Sequence, residues 1–421
     1  MLNLNNYICA LDIGSSKIAA ALATIKKRSI SNIFFEYLPS KGVKQGSIVD
    51  ATELIGVITK LMKNLKAKSG IKNIKFIYTN ISGKDIVTKH SRAIIPLLEK
   101  GNKVITTQDL EKVNEQARIL GSNLEEEIIH YIPLGYSIDS KDDILNPLDL
   151  YSHKLEVKLY LISARLSHIQ TLNRLVNQSG YQIKDLFFSG LATSSIAFDK
   201  ELKEGVNLFC DIGCDITELL VFRNGILTDI EILCIGGEDF TTGLKNALKI
   251  SPDLAEEIKR SYGIIDNLNQ TQQEKEILIK KDNFYEPIKQ RLISQTILNQ
   301  AGLICSKIKN CLEEKVSWQE VNNFVIAGRT VLTESLIETL ENTLGIQVKL
   351  ARIKNPEILS LIKEDNALSG QKYLTYLTCL GILSEVLYGK STETQPARVQ
   401  TSQRLILKAF NRVKELYQEY F

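Results

Sequence analysis

Residues 209–222 read FCDIGCDITELLVF. An apolar run ends in Asp211, a turn around Gly213 follows, and an alternating strand with Thr217 near its start leads away. This is the outline of a phosphate cradle, yet the turn keeps one glycine and sets Cys214 and Asp215 where bare backbone suits an anion best. The outline also occurs about 200 residues earlier, in YICALDIGSSKIAAALATI, residues 7–25. In the later copy Asn224-Gly225 supplies the positive φ angles of a tight hairpin turn, and a third strand, LTDIEILCI, follows. In the earlier copy SNIFFEYL follows a basic turn. Two halves that share strand, acid-glycine turn, strand and strand predict a duplicated α/β core.

Facing each other across a cleft, two such turns would direct backbone N–H groups, freed by Gly14 and Gly213, at phosphates. They would also aim Asp12 and Asp211 at the water shell of a hydrated Mg²⁺. Ser15, Ser16 and Thr217 offer hydroxyls and Lys17 a cation. Gly236-Gly237 precedes a predicted helix, and bare backbone at a helix N-terminus suits a phosphate. The turns are also compatible with plain tight hairpins, and the glycine pair equally with a plain strand-to-helix connection. No residue is singled out as catalytic.

A chain of 421 residues predicts two to four domains or subdomains. Its 44% hydrophobic and 24% charged residues fit an ordinary soluble globular chain, and a net charge of +3 gives no reason to expect nucleic acid as a partner. Seven cysteines and four histidines form no C-x-x-C pair and no metal-ligand spacing. Cys9, Cys210, Cys234 and Cys379 lie in apolar runs and read as core residues of a reducing cytosol. Asp12 and Lys17 interrupt the first apolar stretch, which argues against a secretory signal. No apolar run reaches the roughly 18 residues that a spanning helix needs.

The spacing of Leu54, Ile55, Ile58, Leu61, Met62 and Leu65 predicts an amphipathic helix over residues 51–67, and residues 332–344 predict another before the strand GIQVKLARI. Residues 85–166 interrupt the repeat with a helix near TTQDLEKVNEQARIL, capped by Thr106 or Thr107, and strands near EIIHYIPLGYSID and HKLEVKLYLISA. A second insertion, rich in Lys, Glu, Asn and Gln, spans about 240–300.

With these motifs in order, the chain resembles the actin-like ATPase superfamily and, within it, the bacterial division family FtsA. LDIGSSKI is similar to the family's first phosphate motif, and KQGSIVD, residues 44–50, to the lead into its first long helix. ISGKDI, residues 81–86, and NPLDLYSHKLEV, residues 146–157, resemble the entry to and interior of the family's inserted subdomain. SGLATSSIAF, IGGEDFTTGL and LAEEIKRSYG resemble the connecting helix, the glycine pair and the adenosine-side helix, which carries ribose contacts over to Glu256 and Lys259. The departures concentrate in the second half. Where the family has D-I-G-G-G-T-T-D, Asp211 to Glu218 read DIGCDITE; the adenosine motif T-G-G-G is reduced to Ala327-Gly328-Arg329-Thr330; Gly243 replaces an aspartate. Asp215 puts a carboxylate beside the expected phosphate oxygens, unfavourable unless Mg²⁺ or a turned-away rotamer separates them.

From Gly389 the sequence GKSTETQPARVQTS predicts a flexible linker, and QRLILKAFNRVKELYQEYF a helix. On it Leu405, Ile406, Ala409, Phe410, Val413, Leu416, Tyr417 and Tyr420 share an arc of roughly 140°. Arg412 and Lys414 flank the arc, where long stems can snorkel toward anionic lipid. The helix is also compatible with packing on protein, but FtsA proteins end in a membrane-targeting helix of this kind.

The resemblance therefore implies an α/β fold: an actin-like, duplicated RNase H-type core with an inserted α+β subdomain of the 1C or SHS2 type and a C-terminal amphipathic helix. The first half takes residues 1–84 and 167–203, the insert 85–166, and the second half 204–239 and 301–388. Its smaller subdomain takes 240–300, the linker 389–402 and the membrane helix 403–421. It further implies a protein that binds ATP and Mg²⁺ with at most weak ATPase activity and polymerises on the cytoplasmic face of the inner membrane. There, at the division septum, it would meet later division proteins and tether FtsZ through that protein's C-terminal peptide. In the family that peptide docks on the smaller subdomain, where Lys280, Lys281, Lys289 and Arg291 are candidates to meet its acids. The alternatives are a pilus-assembly ATPase of the PilM type, a sugar-kinase-like phosphotransferase, which needs an intact cradle, and a nucleotide-free scaffold with a degenerate pocket.

Overall fold

In a computed structural model the described residues are 7–26, 29–97, 103–139, 141–198, 204–262, 275–281, 284–334, 336–363, 368, 370–388 and 400–401. Each acid-glycine motif closes an antiparallel pair. Strands Tyr7–Ile13, Lys17–Lys26 and Ser29–Pro39 form a meander, and Phe76–Ile81 and then Gln182–Phe188 add in parallel on the far side of the first strand. The second half repeats this order: Val206–Ile212, Thr217–Arg223 and Ile226–Leu233 form the meander, and Val321–Ala327 and Val348–Leu350 add in parallel. Hairpin register is also shared, since Asp12 pairs with Ala19 as Asp211 pairs with Glu218. The Asn224 φ of 52° is the left-handed geometry of the predicted tight turn.

The first sheet is buried on both faces, which explains its near-continuous apolar strands. In KIAAALATIK, Ala19, Ala21 and Ala23 pack into one core, while Ile18, Ala20 and Leu22 pack into another with Leu54, Ile58, Leu61 and Met62. Those last four come from the helix Ala51–Ser69, started by Asp50, whose side chain accepts from the Glu53 N–H, and ended by Gly70 at φ 72°.

The insert leaves the first sheet after Ile81. Its strands run in the order Lys141–Ile144, Glu126–Ile138, Lys154–Arg165 and Ile86–Pro96. Helix Thr107–Gly121, capped by Thr106 through a capping box with Asp109, packs Val113 and Ala117 against Leu155, Leu159 and Leu161 in a core of its own.

Several expectations need correction. The boundaries at 239/240 and 300 fall inside the helices Gly237–Leu248 and Gln290–Glu313, so the smaller subdomain grows continuously out of the second half. Helix Leu377–Tyr388, assigned to the second half, packs on the first: it touches strands Tyr7–Ile13 and Lys17–Lys26, and the Cys379 thiol lies 3.5 Å from the Ala19 carbonyl. Cys9, Cys210 and Cys379 are buried as expected, but Cys234 is exposed, because it follows the last residue of Ile226–Leu233 at the sheet's end. At the end of the expected linker, Gln400–Thr401 pairs antiparallel with Tyr131 and His130 of the insert. The membrane helix expected at 403–421 lies outside the described residues. Among the described residues no helix is long and apolar enough to cross a membrane.

Candidate functional site

The two acid-glycine turns meet at a cleft of about 550 Å³, within the size range of ligand sites. Each turn closes with the same bond: the Gly14 N–H donates to Lys17 O at 3.0 Å and the Gly213 N–H to Ile216 O at 2.9 Å. The N–H groups of Ser15 and Ser16, and of Cys214 and Asp215, keep no protein acceptor among the described residues. Both turns therefore offer donors to an anion.

At the base of the cleft the buried Asp12 carboxylate accepts from Lys17 Nζ at 2.5 Å and from Asn80 Nδ2 at 2.8 Å. Asp211 opens onto the cleft yet lies deep in the fold. That burial, with the nearby Asp12 charge, pushes its carboxyl up to about 6 against the opposing influence of Lys17 and Thr193. Two acids at the base of one cleft, with hydroxyls around them, form a donor set suited to a water-coordinated Mg²⁺. Glu218, one strand over, is 3% exposed; burial and then the Asp211 charge push it up to about 8.

On the far wall Glu256 and Lys259 form an ion pair on helix Pro252–Tyr262, and Lys259 Nζ also donates to the Gly237 carbonyl at 3.0 Å and Thr241 Oγ1 at 2.8 Å. Burial raises the Glu256 carboxyl, but the bonds from Lys259 and Thr241 outweigh it and hold it below the usual range. Gly328, at φ 89°, turns the chain after Val321–Ala327 so that Thr330 donates to the Gly213 carbonyl at 2.6 Å.

The structure thus brings Asp12, Gly14, Ser15, Ser16, Lys17, Asp211, Gly213, Gly237, Glu256, Lys259 and Gly328 to one cleft. Thr217 and Gly236 are not among its lining residues. The Thr217 hydroxyl, fully buried, donates to the Ile235 carbonyl at 2.9 Å. The helix start expected to receive a phosphate is already engaged: the Gly237 N–H donates to Gly213 O, the Glu238 N–H to Cys214 O, and the Gly236 N–H to Asp239 Oδ2. The glycine pair serves packing instead, since a Cβ on Gly236 would lie 2.5 Å from the Gly213 carbonyl oxygen. Sequence reasoning missed Asn80, Ser82, Thr193 and Glu218, which also line the cleft. Cys214, Asp215 and Glu238 bring ligand atoms within 4.8 Å of one another at the rim, but burial and the Asp215 charge push the Cys214 thiol up to about 12, far from a thiolate ligand.

The family model for cell division protein FtsA matches residues 208–377, and the model for the SHS2 domain inserted in FtsA matches residues 83–163. The chain belongs to the FtsA family. The cell division protein FtsA of Bacillus subtilis (strain 168) is 31% identical over 263 residues, 62% of this chain and 59% of that relative's length. The FtsA of Buchnera aphidicola subsp. Schizaphis graminum is 24% identical over 425 residues, 98% of each. Among solved structures, a PilM–PilN type IV pilus biogenesis complex superposes with a TM-score of 0.62 at 16% identity, covering 90% of this chain and 98% of that one. That likeness concerns the fold, the actin-like α/β architecture with an inserted subdomain.

Proposed function

We propose that this FtsA-family chain binds ATP with Mg²⁺ between its two halves, with at most weak ATPase activity, and assembles into short filaments on the cytoplasmic face of the inner membrane. There, at the division septum and among later division proteins, it would tether FtsZ. The observation that carries the nucleotide reading is the pair of equivalent turns, each with free N–H donors, over the facing acids Asp12 and Asp211. When bound, Mg²⁺ would supply charge neutralisation for the phosphates. Asp12 and Asp211 would hold it through water, Ser15 and Ser16 would donate to phosphate, and Glu256 and Lys259 would face the ribose.

For FtsZ, the hairpin Glu276–Lys281 and Phe284–Lys289 turns Ile277, Ile279 and Ile288 inward and leaves Leu278 and Tyr285 exposed. Lys289 and Arg291 are exposed close by, and Lys280 and Lys281 stand on the first strand. An apolar surface with cations beside it suits an acidic, partly apolar peptide. Anionic lipid would be met by Leu405, Phe410, Val413, Leu416 and their neighbours on the terminal arc.

Co-sedimentation tests the tether. The full chain is expected to carry an FtsZ C-terminal peptide into the pellet with anionic liposomes, and a chain truncated after Ser402 to bind the peptide but leave it in solution. Equal sedimentation of both chains would overturn the membrane assignment. A nucleotide-free scaffold is the second reading, favoured by the engaged N–H groups of Gly237 and Glu238.

A further inference from the structure

The second turn reaches across the cleft at two points, and both contacts are made by acids. Asp215, at its tip, accepts from the Gln45 N–H of the first half at 2.9 Å. Glu218, on the outgoing strand, accepts from the Ser82 hydroxyl of the first half, and the Gly190 N–H at the start of helix Ser189–Ala197 donates to the same carboxyl.

The receiving side is built for this. Gln45 and Gly46 form the turn between the short strands Val43–Lys44 and Ser47–Ile48, with φ angles of 49° and 73°. Gln45 is a non-glycine residue in the left-handed region, a conformation that needs support from its surroundings. This turn lies directly on the next one: a Cβ on Gly46 would sit 2.6 Å from the Gly83 Cα and 2.6 Å from the Ser82 carbonyl oxygen. Two stacked backbone turns of the first half therefore each hold one acid from a single hairpin of the second. Nothing in the first copy corresponds, because Ser16 stands at the position of Asp215 and Ala19 at that of Glu218.

We propose that Asp215 and Glu218 form an intramolecular clasp that holds the cleft closed by joining the second-half hairpin to the stacked turns Gln45-Gly46 and Ser82-Gly83. A carboxylate of the chain itself makes the connection between halves, so closure does not depend on a phosphate in the cleft. The clasp stands whether or not ATP binds, so it and the nucleotide assignment can fail separately.

Hydrogen exchange followed by mass spectrometry on the full, nucleotide-free chain tests the clasp. Residues 43–48 are expected to be protected without nucleotide, and Asp215→Ala to exchange there about tenfold faster, the change that loss of one charge-assisted hydrogen bond produces. Asp215→Asn keeps an accepting oxygen and is expected to retain most of the protection. Helix Ala51–Ser69 should exchange alike in all three chains, which separates the clasp from general destabilisation. Should Asp215→Ala not fold, Ser82→Ala reads the second contact, with faster exchange expected at residues 189–191, where Gly190 donates to Glu218. Wild-type exchange at 43–48 at the rate of an open turn, or protection unchanged in Asp215→Ala or, in its place, Ser82→Ala, would overturn the proposal.

Discussion

The two acid-glycine turns share backbone path, register and closing hydrogen bond, yet their side chains do different work. In the first, Ser15 and Ser16 leave the backbone accessible, and Lys17 is tied to Asp12. Beyond the first turn a loop amide, Ser40 N–H, donates to Ser16 O. The second is covered by the start of helix Gly237–Leu248 and carries two acids that bind the opposite half. A duplicated fold can thus keep the same backbone donors in both copies while the side chains of one copy also connect the halves.

The largest effect is expected from Asp12→Ala. It leaves Lys17 without its buried ion-pair partner and removes one hydrogen bond from Asn80, and denaturant unfolding should show a loss of about 3 kcal/mol. A loss near zero would mean that Asp12 does not anchor the first turn. Next in size, Gly236→Ala drives a Cβ into the Gly213 carbonyl and should cost about 1–3 kcal/mol by thermal unfolding, as overpacking does. An unchanged melting temperature would show that the second turn yields easily.

The comparison also has a pH signature, because Glu218 has Ala19 as its counterpart. With a folded value of about 8 against an ordinary 4.5, the native state holds the Glu218 proton over an interval in which the unfolded chain has released it. Stability contributed by this group is therefore present below about 4.5 and is lost as pH rises toward about 8. Glu218→Gln should flatten that part of the unfolding free energy measured between pH 5 and 8; an identical slope in both chains would remove Glu218 as its source. The smallest effect belongs to Thr217→Val, which removes the hydroxyl bonded to Ile235 O. It should cost about 1 kcal/mol in stability and leave nucleotide affinity unchanged. Weakened nucleotide binding would return Thr217 to the cleft.

The duplicated core was legible because the repeated unit is local: an apolar run, Asp-Ile-Gly and a second strand. Thr217 was misplaced because a hydroxyl near a strand start says nothing of its face. The hairpin register does: Thr217 pairs with Ile212, while Glu218 pairs with Asp211 and shares the cleft side with it. Counting outward from the turn at residues 213–216 would have found Glu218. Asn80, Gln45 and Ser82 had no local signal, since their roles arise from contacts with residues 68, 170 and 136 positions away. The boundaries near 240 and 300 followed a change in polar composition, which tracks exposure and not where a helix ends.

Equilibrium binding of fluorescent ATP to the purified chain with Mg²⁺, beside Asp12→Ala, tests whether the paired turns hold a nucleotide. Saturable binding by the wild-type chain that is lost in Asp12→Ala is expected. No binding by the wild-type chain at high micromolar nucleotide, or equal binding by both chains, would contradict the nucleotide assignment.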